Sequence, residues 1–426
     1  MKENTLPLEP RSQKKVSMLL TKGVDIPNPL TLDIGDEVLV DQISGKGVKI
    51  YPGCRIYGNE TAISEGAILG EEGPVTMDNC QLGPGVALKG GYFHRAVFLE
   101  GAALGMGAHV REGSILEEQA SCAHCVGLKQ TILFPFVTLG SLINFCDCLM
   151  AGGTNRKNHS EVGSSYIHFN FTANGDKTTP SLFGDVPRGV MLNQPPIFLG
   201  GQGGSVGPLR LGYGNVTAAG TILRKDVLET GRIIIGKTHR AGVVPFVQGM
   251  YTGMKRIIEN NILYLGNLMA LEQWYNHVRK PFFESREMGN LVLNGALYNL
   301  ALAKTERKKR LVSMAEKLNH PSGKEEGVSS ESEKVEYPER MHELCKVFEP
   351  ENVNHIGLNP RDLLLEEIHK TGTDGNYVQV IQSLPPAIVA QGTAWLDQII
   401  EELCRKASEV LPSMKLFKNS STSGVE

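Results

Sequence analysis

The sequence predicts a mainly β fold: a single-stranded left-handed parallel β-helix followed by an α-helical C-terminal region. Between residues 50 and 227 an aliphatic residue recurs every six positions with a small residue four places after it, as in Phe98, Leu104, Val110 and Leu116 with Ala102, Ala108, Ser114 and Ala120. Glycines fall between the apolar positions, at Gly53, Gly58, Gly66, Gly85, Gly101, Gly107 and Gly113. After residue 248 the period becomes helical, with Ile258, Ile262, Leu265 and Met269 at i, i+4, i+7 and i+11. Three hexads make one triangular turn of roughly 18 residues, in which aliphatic side chains stack from turn to turn and small residues fit the corners. The spacing therefore predicts Phe98 over Leu116 and Leu104 over Cys122. A mixed sheet of short strands would use the same Val and Ile residues, but an antiparallel meander would show turn pairs about every 8 to 12 residues, and a phase of six does not fit it.

Residues 1–47 read as an entry and cap segment, with a short strand in 33–40 covering the first turn, because an open solenoid end exposes unpaired strand edges. Residues 48–247 form the β-helix, with one-residue slips before Ile63 and Leu82 and a polar insertion around 151–196 rich in Asn, His, Lys and Gly. In repeat folds such an insertion marks a binding face. Residues 248–320 are α-helical, with a break expected at Lys280-Pro281 and a second helix carrying Leu291, Val292, Ala296 and Leu300. The basic stretch 304–310 reads as a solvated helix end. Residues 321–336, PSGKEEGVSSESEKVE, have the composition of a flexible linker. A small helical module at 337–415 and a disordered tail at 416–426 complete the chain.

Lys and Arg number 43 against 46 Asp and Glu, a net charge of -3, which gives no electrostatic reason to expect nucleic acid. No apolar run approaches the ~18 residues of a membrane span, and the N-terminus lacks the apolar core of an export signal, so a cytoplasmic location is expected. The eight cysteines are then expected to be reduced thiols. Cys122 and Cys125, with Cys146 and Cys148 about a turn later, have a spacing that would let four thiolates approach one zinc ion. The alternative is that Cys, small and apolar, fills hexad corners as at Cys54; it is preferred because a structural zinc usually staples a poor core. His94, His109 and His124 are spaced by 15 residues, out of phase with an 18-residue turn, so they do not predict a three-histidine metal site. No metal is expected.

The run from Leu211 through Gly212-Tyr213-Gly214-Asn215-Val216-Thr217-Ala218-Ala219-Gly220-Thr221 to Val227 resembles the late turns of the hexapeptide-repeat acyltransferases. Upstream, Gly163-Ser164-Ser165-Tyr166-Ile167-His168-Phe169-Asn170-Phe171, then Lys177-Thr178 and Phe183-Gly184-Asp185, is similar to that superfamily's Gly-rich turn, Asn-Tyr pair and lysine loop. The resemblance covers roughly residues 98–228. It is strongest to the acetyltransferase half of the bifunctional glucosamine-1-phosphate acetyltransferase and N-acetylglucosamine-1-phosphate uridyltransferase, without the uridyltransferase domain. It implies a homotrimer with sites between neighbouring β-helices, acetyl-CoA or another acyl-CoA along the groove, and a phosphosugar or nucleotide sugar at its inner end. By position it implies that Lys129 contacts a sugar phosphate, that Asn170, Phe171 and Ala219 lie against the coenzyme, and that Lys177 belongs to the same loop. Gly201, within Gly200-Gly201-Gln202-Gly203-Gly204, reads as a tight corner where a ligand or a neighbouring subunit approaches the backbone.

The superfamily's catalytic His-Leu-Thr-Tyr run is matched here by Ser141-Leu142-Ile143-Asn144, so Ser141 stands at the base position and Asn144, a candidate substrate-binding residue, at that of the tyrosine. Acyl transfer to an amine needs a group that takes a proton at neutral pH; imidazole does this and a serine hydroxyl does not. His159, in the polar loop with Arg156 and Lys157, and His168, directly before Phe169-Asn170, are the candidate replacements. Each is also readable as an ordinary loop or hydrogen-bonded histidine. Arg156 and Lys157 would suit a phosphate, or form a solvated corner. The competing reading is a non-catalytic sugar-nucleotide-binding or trimeric scaffold protein that partners a separate nucleotidyltransferase, with the C-terminal helices recruiting a protein.

Overall fold

The computed structural model of the chain describes residues 10–236, 242–243, 251, 253–318, 331–373 and 375–417. Its first part is a left-handed parallel β-solenoid of about eleven turns. The register follows the hexad spacing: Phe98 pairs with Leu116, and Leu104 with Cys122. Each inward aliphatic side chain thus meets its equivalents one turn away, and the whole inner column is excluded from water.

The prism has three faces. Face 1 is a ten-stranded parallel sheet running from Lys49–Ile50 through Ser121–Cys122, Thr138–Leu139 and Glu161–Val162 to Ile233–Ile234. Face 2 carries Arg55–Tyr57, Val75–Asp78, Gly91–His94, Ala108–Val110, residues 127–129 and 144–146, Ile167–Phe169, Gly204–Val206 and Ile222–Leu223. Face 3 carries Gln81–Leu82, Ala96–Phe98, Ser114–Leu116, residues 131–133 and 148–150, Ser181–Phe183 and Arg210–Leu211. Faces 2 and 3 join in one hydrogen-bonded sheet because the long strands Gly127–Leu133 and Asn144–Met150 bend round the corner at Gln130 and Asp147, both with positive φ.

Helix α1 (Gln13–Lys22) closes the N-terminal end. The Ser12 hydroxyl before it accepts the Ile34 N–H at 2.7 Å, and Asp33–Ile34 adds a parallel strand to Arg55–Ile56. Only those two residues of the expected 33–40 strand extend the sheet. The expected insertion at 151–196 is not one break. A hairpin (Gly153–Asn155 with Asn158–His159), a loop before Ser181–Phe183 and the short helix α2 (Val186–Gly189) leave separate corners, while Glu161–Val162, Ile167–Phe169 and Ser181–Phe183 stay in the solenoid.

Helices α3 (Met254–Trp274), α4 (Lys280–Glu284) and α5 (Gly289–Leu318) lie across face 3. The break expected at Pro281 is absent: a π turn, Tyr275–Arg279, carries the helical path without interruption into α4, with the proline directly after the widened turn. Asn299 Oδ1 accepts the Gly113 N–H at 2.8 Å, and a Cβ at Gly295 would lie 2.1 Å from Gln81 Oε1, so α5 touches the sheet closely. The basic stretch 304–310 is not a solvated end. Lys304 is ion-paired with Glu272 and Arg307 with Asp147, each at 2.6 Å and buried, because α5 continues past them along the prism.

Helix α9 (Pro386–Val410) packs on α3 and helix α6 (Glu331–Val347) on α5, while α7 (Leu358–Thr371) packs on α9 and α8 (Tyr377–Gln382) on α7. Residues 331–336 of the expected linker begin α6, and 319–330 lie outside the described residues. Of the expected disordered tail, Leu416 is buried and Phe417 packs against the core; 418–426 lie outside the described residues. Under this layer Glu117, Glu118 and Arg279 are buried together. The Arg279 guanidinium stands 4.0 Å from the Tyr377 ring centroid, and the Tyr275 hydroxyl donates to Glu117 at 2.6 Å. Burial pushes the Glu117 carboxyl up to about 7, against the pull of Arg279 and with the push of Glu118.

Candidate functional site

Face 2 and its two edges hold most of the residues the sequence singled out. The edge shared with face 1 is a column of corners. At each, the residue with positive φ donates its N–H to the coil below: Cys125 to Met106 O, Leu142 to His124 O, Ser165 to Ser141 O, Gln202 to Ser164 O and Gly220 to Gly201 O, at 2.8–3.1 Å. Met106, His124, Ser141, Ser164, Gly201 and Ala219 are thereby stacked one per coil. Gly201 is small because of its own chain: a Cβ there would lie 2.9 Å from Ser164 O, so the neighbour that approaches this backbone is the adjacent coil. A side chain at Gly220 would meet nothing within 4 Å, and Ser164 and Ala219 are exposed, so the upper part of this edge is open and lined by small residues apart from the exposed Gln202.

Within that column the Ser141 hydroxyl lies 2.9 Å from His124 Nδ1, and the Ser141 N–H donates to Ser164 Oγ at 3.1 Å. The position matched to the catalytic histidine is therefore occupied by a hydroxyl that holds an imidazole from one coil earlier. The sequence reading weighed His124 only as a metal ligand. The available signal was its place 17 residues before Ser141, about one coil.

On the sheet itself Tyr92 and His109 stack with centroids 5.0 Å apart, and His94 stands between Asp78 and Glu112 at 4.0 and 3.9 Å. Lys129 is ion-paired with Glu112 at 2.7 Å and lies in register with Cys146. Asn144 stacks between Gly127 and Ile167, and its Oδ1 accepts the Cys146 thiol at 3.1 Å.

The edge shared with face 3 centres on Asp147. Its carboxylate accepts from Asn170 Nδ2 at 3.1 Å and Arg307 Nη2 at 2.6 Å, and Arg307 Nη1 donates to Lys177 O at 3.3 Å. The loop carrying Lys177 is further held by Tyr251 on Asp176 (2.8 Å), Asn261 on Thr178 O (3.2 Å) and Lys317 on Asn174 O (2.5 Å). Phe171 stands out from this edge, 71% exposed. Asp147 and Arg307 were missed by sequence reasoning, which had no means of pairing residues 160 positions apart.

The other candidates lie elsewhere. His168 points into the prism, 1% exposed, with Nε2 2.7 Å from Ser181 Oγ and its ring edge-on to Phe145 and Phe183. Burial lowers its pKa to about 4. A base there meets no substrate, which corrects the catalytic expectation for this residue. Arg156, Lys157 and His159 sit on the hairpin at the corner of faces 3 and 1. Arg156 reaches back over face 1 to Gln119 O, Phe136 O, Thr138 Oγ1 and Ser121 Oγ at 2.9–3.1 Å, all neutral oxygens. His159 Nε2 lies 3.8 Å from Glu161. Cys122 faces the core and Cys125 solvent, so the two cysteine pairs do not converge, and among the described residues no His, Cys, Asp and Glu cluster has the makings of a metal site.

Bifunctional protein GlmU of Thermotoga maritima is 25% identical over 215 residues, 50% of this chain and 42% of that protein. The solenoid is similar to GlmU and consistent with a hexapeptide-repeat region. Bifunctional protein GlmU of Pelobacter propionicus is 26% identical over 223 residues, 52% of the chain and 42% of the relative. That of Pseudomonas putida is 25% identical over 231 residues, 53% and 44%. The chain thus spans less than half the length of these GlmU relatives, and no protein-family model matches it. Among the described residues no helix is long and apolar enough to cross a membrane.

Proposed function

We propose that this protein is an acyl-CoA-dependent acyltransferase acting on a phosphosugar or nucleotide sugar, working as a cytoplasmic homotrimer. One observation carries the reading. The positions matched to the superfamily's ligand-contacting residues gather on face 2 and its two edges, away from face 3 where the C-terminal helices pack: Gly201 and Ala219 on one edge, Lys129 and Asn144 across the sheet, Asn170 and the Lys177 loop on the other. Lys129, Lys177 and the exposed Arg111 offer cations to a phosphate, with Glu112 as the local counter-charge. The small, exposed strip from Ser164 to Gly220 has room for an extended coenzyme arm, and an acyl thioester bound there would supply the acyl group. Asn170, fixed by Asp147, would orient it. Arg156, Lys157 and His159 would join this site only from a neighbouring subunit.

The second reading, a non-catalytic nucleotide-sugar-binding or scaffold protein, draws its support from the serine at position 141. Incubation with acetyl-CoA and glucosamine 1-phosphate, following free thiol, separates the two. Acceptor-dependent thiol release is expected. Its absence with a panel of amino and hydroxyl phosphosugars and nucleotide sugars would overturn the catalytic reading.

A further inference from the structure

We infer that His124 is the general base of the acyl transfer, with Ser141 as its positioning residue. The pair replaces the single histidine of the GlmU-like turn, and the inference rests on the acyltransferase reading above. Three observations carry it. The imidazole and the hydroxyl are 2.9 Å apart on a solvent-facing corner, at the position where the matched turn has its base. Both ends of the contact are fixed by backbone: Leu142 N–H donates to His124 O at 3.1 Å and Ser141 N–H to Ser164 Oγ at 3.1 Å. Leu142, 58% exposed, takes this corner at φ +59°, as Cys125 and Ser165 do on the adjacent coils, so the backbone under the pair has the fixed corner geometry of the column.

The chemistry follows from the two ring nitrogens. With Nδ1–H donated to Ser141 Oγ, the lone pair of Nε2 is free to face a ligand, a tautomer assigned here by the role it serves. The amine or hydroxyl of the acceptor attacks the thioester carbonyl carbon. A C–N or C–O bond forms, His124 Nε2 takes the acceptor's proton, the C–S bond breaks, and the same proton passes to the departing thiolate. The products are the amide or ester and the free thiol, and no other reactant is required. The corner column continues from Ser141 through Ser164 and Gly201 to Ala219, so the base stands at one end of the open strip.

The test compares the full-length protein with His124→Ala and Ser141→Ala. His124→Ala should lower kcat about 10²–10⁴-fold, leave the calorimetric affinity for coenzyme A unchanged, and regain activity when imidazole is added to the buffer. Ser141→Ala should lower kcat less and move the His124 side-chain nitrogen resonances of the ligand-free protein. Wild-type kcat in His124→Ala, or unmoved His124 resonances in Ser141→Ala, would overturn the inference while leaving the acyltransferase reading intact. Thiol release absent from the wild type itself would overturn the reading, and this inference with it.

Discussion

Arg307 Nη2 lies 2.6 Å from Asp147 Oδ1, with both side chains almost wholly excluded from water. The pair joins the middle of α5 to the corner where Asn144–Met150 turns from face 2 to face 3. The same guanidinium holds Lys177 O and the same carboxylate holds Asn170, so the C-terminal helices set the position of the loop at the edge of face 2. Replacing one member leaves an uncompensated buried charge, at a cost of about 3–5 kcal/mol. Arg307→Met should lower stability by that order and raise amide exchange in residues 170–178 more than in the Ile115 and Leu116 strand. Denaturant melts with exchange mass spectrometry check both.

Two buried groups give the fold opposing pH slopes. Burial raises the Glu117 carboxyl from 4.5 to about 7, so the folded state binds the extra proton. Its contribution is full below about pH 4.5 and is lost as pH rises through about 7. Burial lowers His168 from 6.5 to about 4, so its contribution is full above about pH 6.5 and is lost as pH falls through about 4. Glu117→Gln should flatten the decline on the rising side, and His168→Asn the decline on the acid side. The two windows overlap between about pH 4.5 and 6.5, where the slopes oppose each other, so urea midpoints from pH 4 to 8 in each single variant, set against the wild type, isolate one slope at a time.

Arg156 binds neutral oxygens on face 1, away from face 2. Arg156→Ala should free the hairpin, raising amide exchange in residues 153–159, while thiol release changes less than about threefold, within ~0.7 kcal/mol of transition-state stabilisation. A loss of activity larger than tenfold with unchanged folding would instead draw this corner into the site across a subunit boundary.

Phe145 stacks on Phe183 at 5.4 Å and meets His168 edge-on inside the prism, beneath face 2. Phe145→Ala should cost about 3–5 kcal/mol, measured as a shift of the denaturant midpoint with unchanged slope.

The solenoid was legible because each coil repeats one demand, an inward aliphatic over another, and Phe98 over Leu116 satisfies it in every turn on either side. Lys129, Asn144 and Asn170, carried over by position from the resemblance, fall on face 2 and its edge. His168 was misread because its strand inverts the usual pattern: Ile167 and Phe169 face out and the histidine faces in, held by Ser181 from the next pass of the chain. The run 304–310 reads as solvent-facing because its counter-charges, Glu272 and Asp147, lie on other elements. The His124 and Ser141 contact stayed hidden for a related reason, since a 17-residue coil breaks the strict 18-residue phase that aligns the rest.

The most direct test of the central claim, that face 2 is an acyl-CoA site, is calorimetric titration of coenzyme A into the wild type and into Ala219→Trp. The account predicts saturable binding to the wild type, weakened at least tenfold by the bulky side chain on the small-residue strip. No binding of coenzyme A, in a protein that still binds a nucleotide sugar, would contradict it.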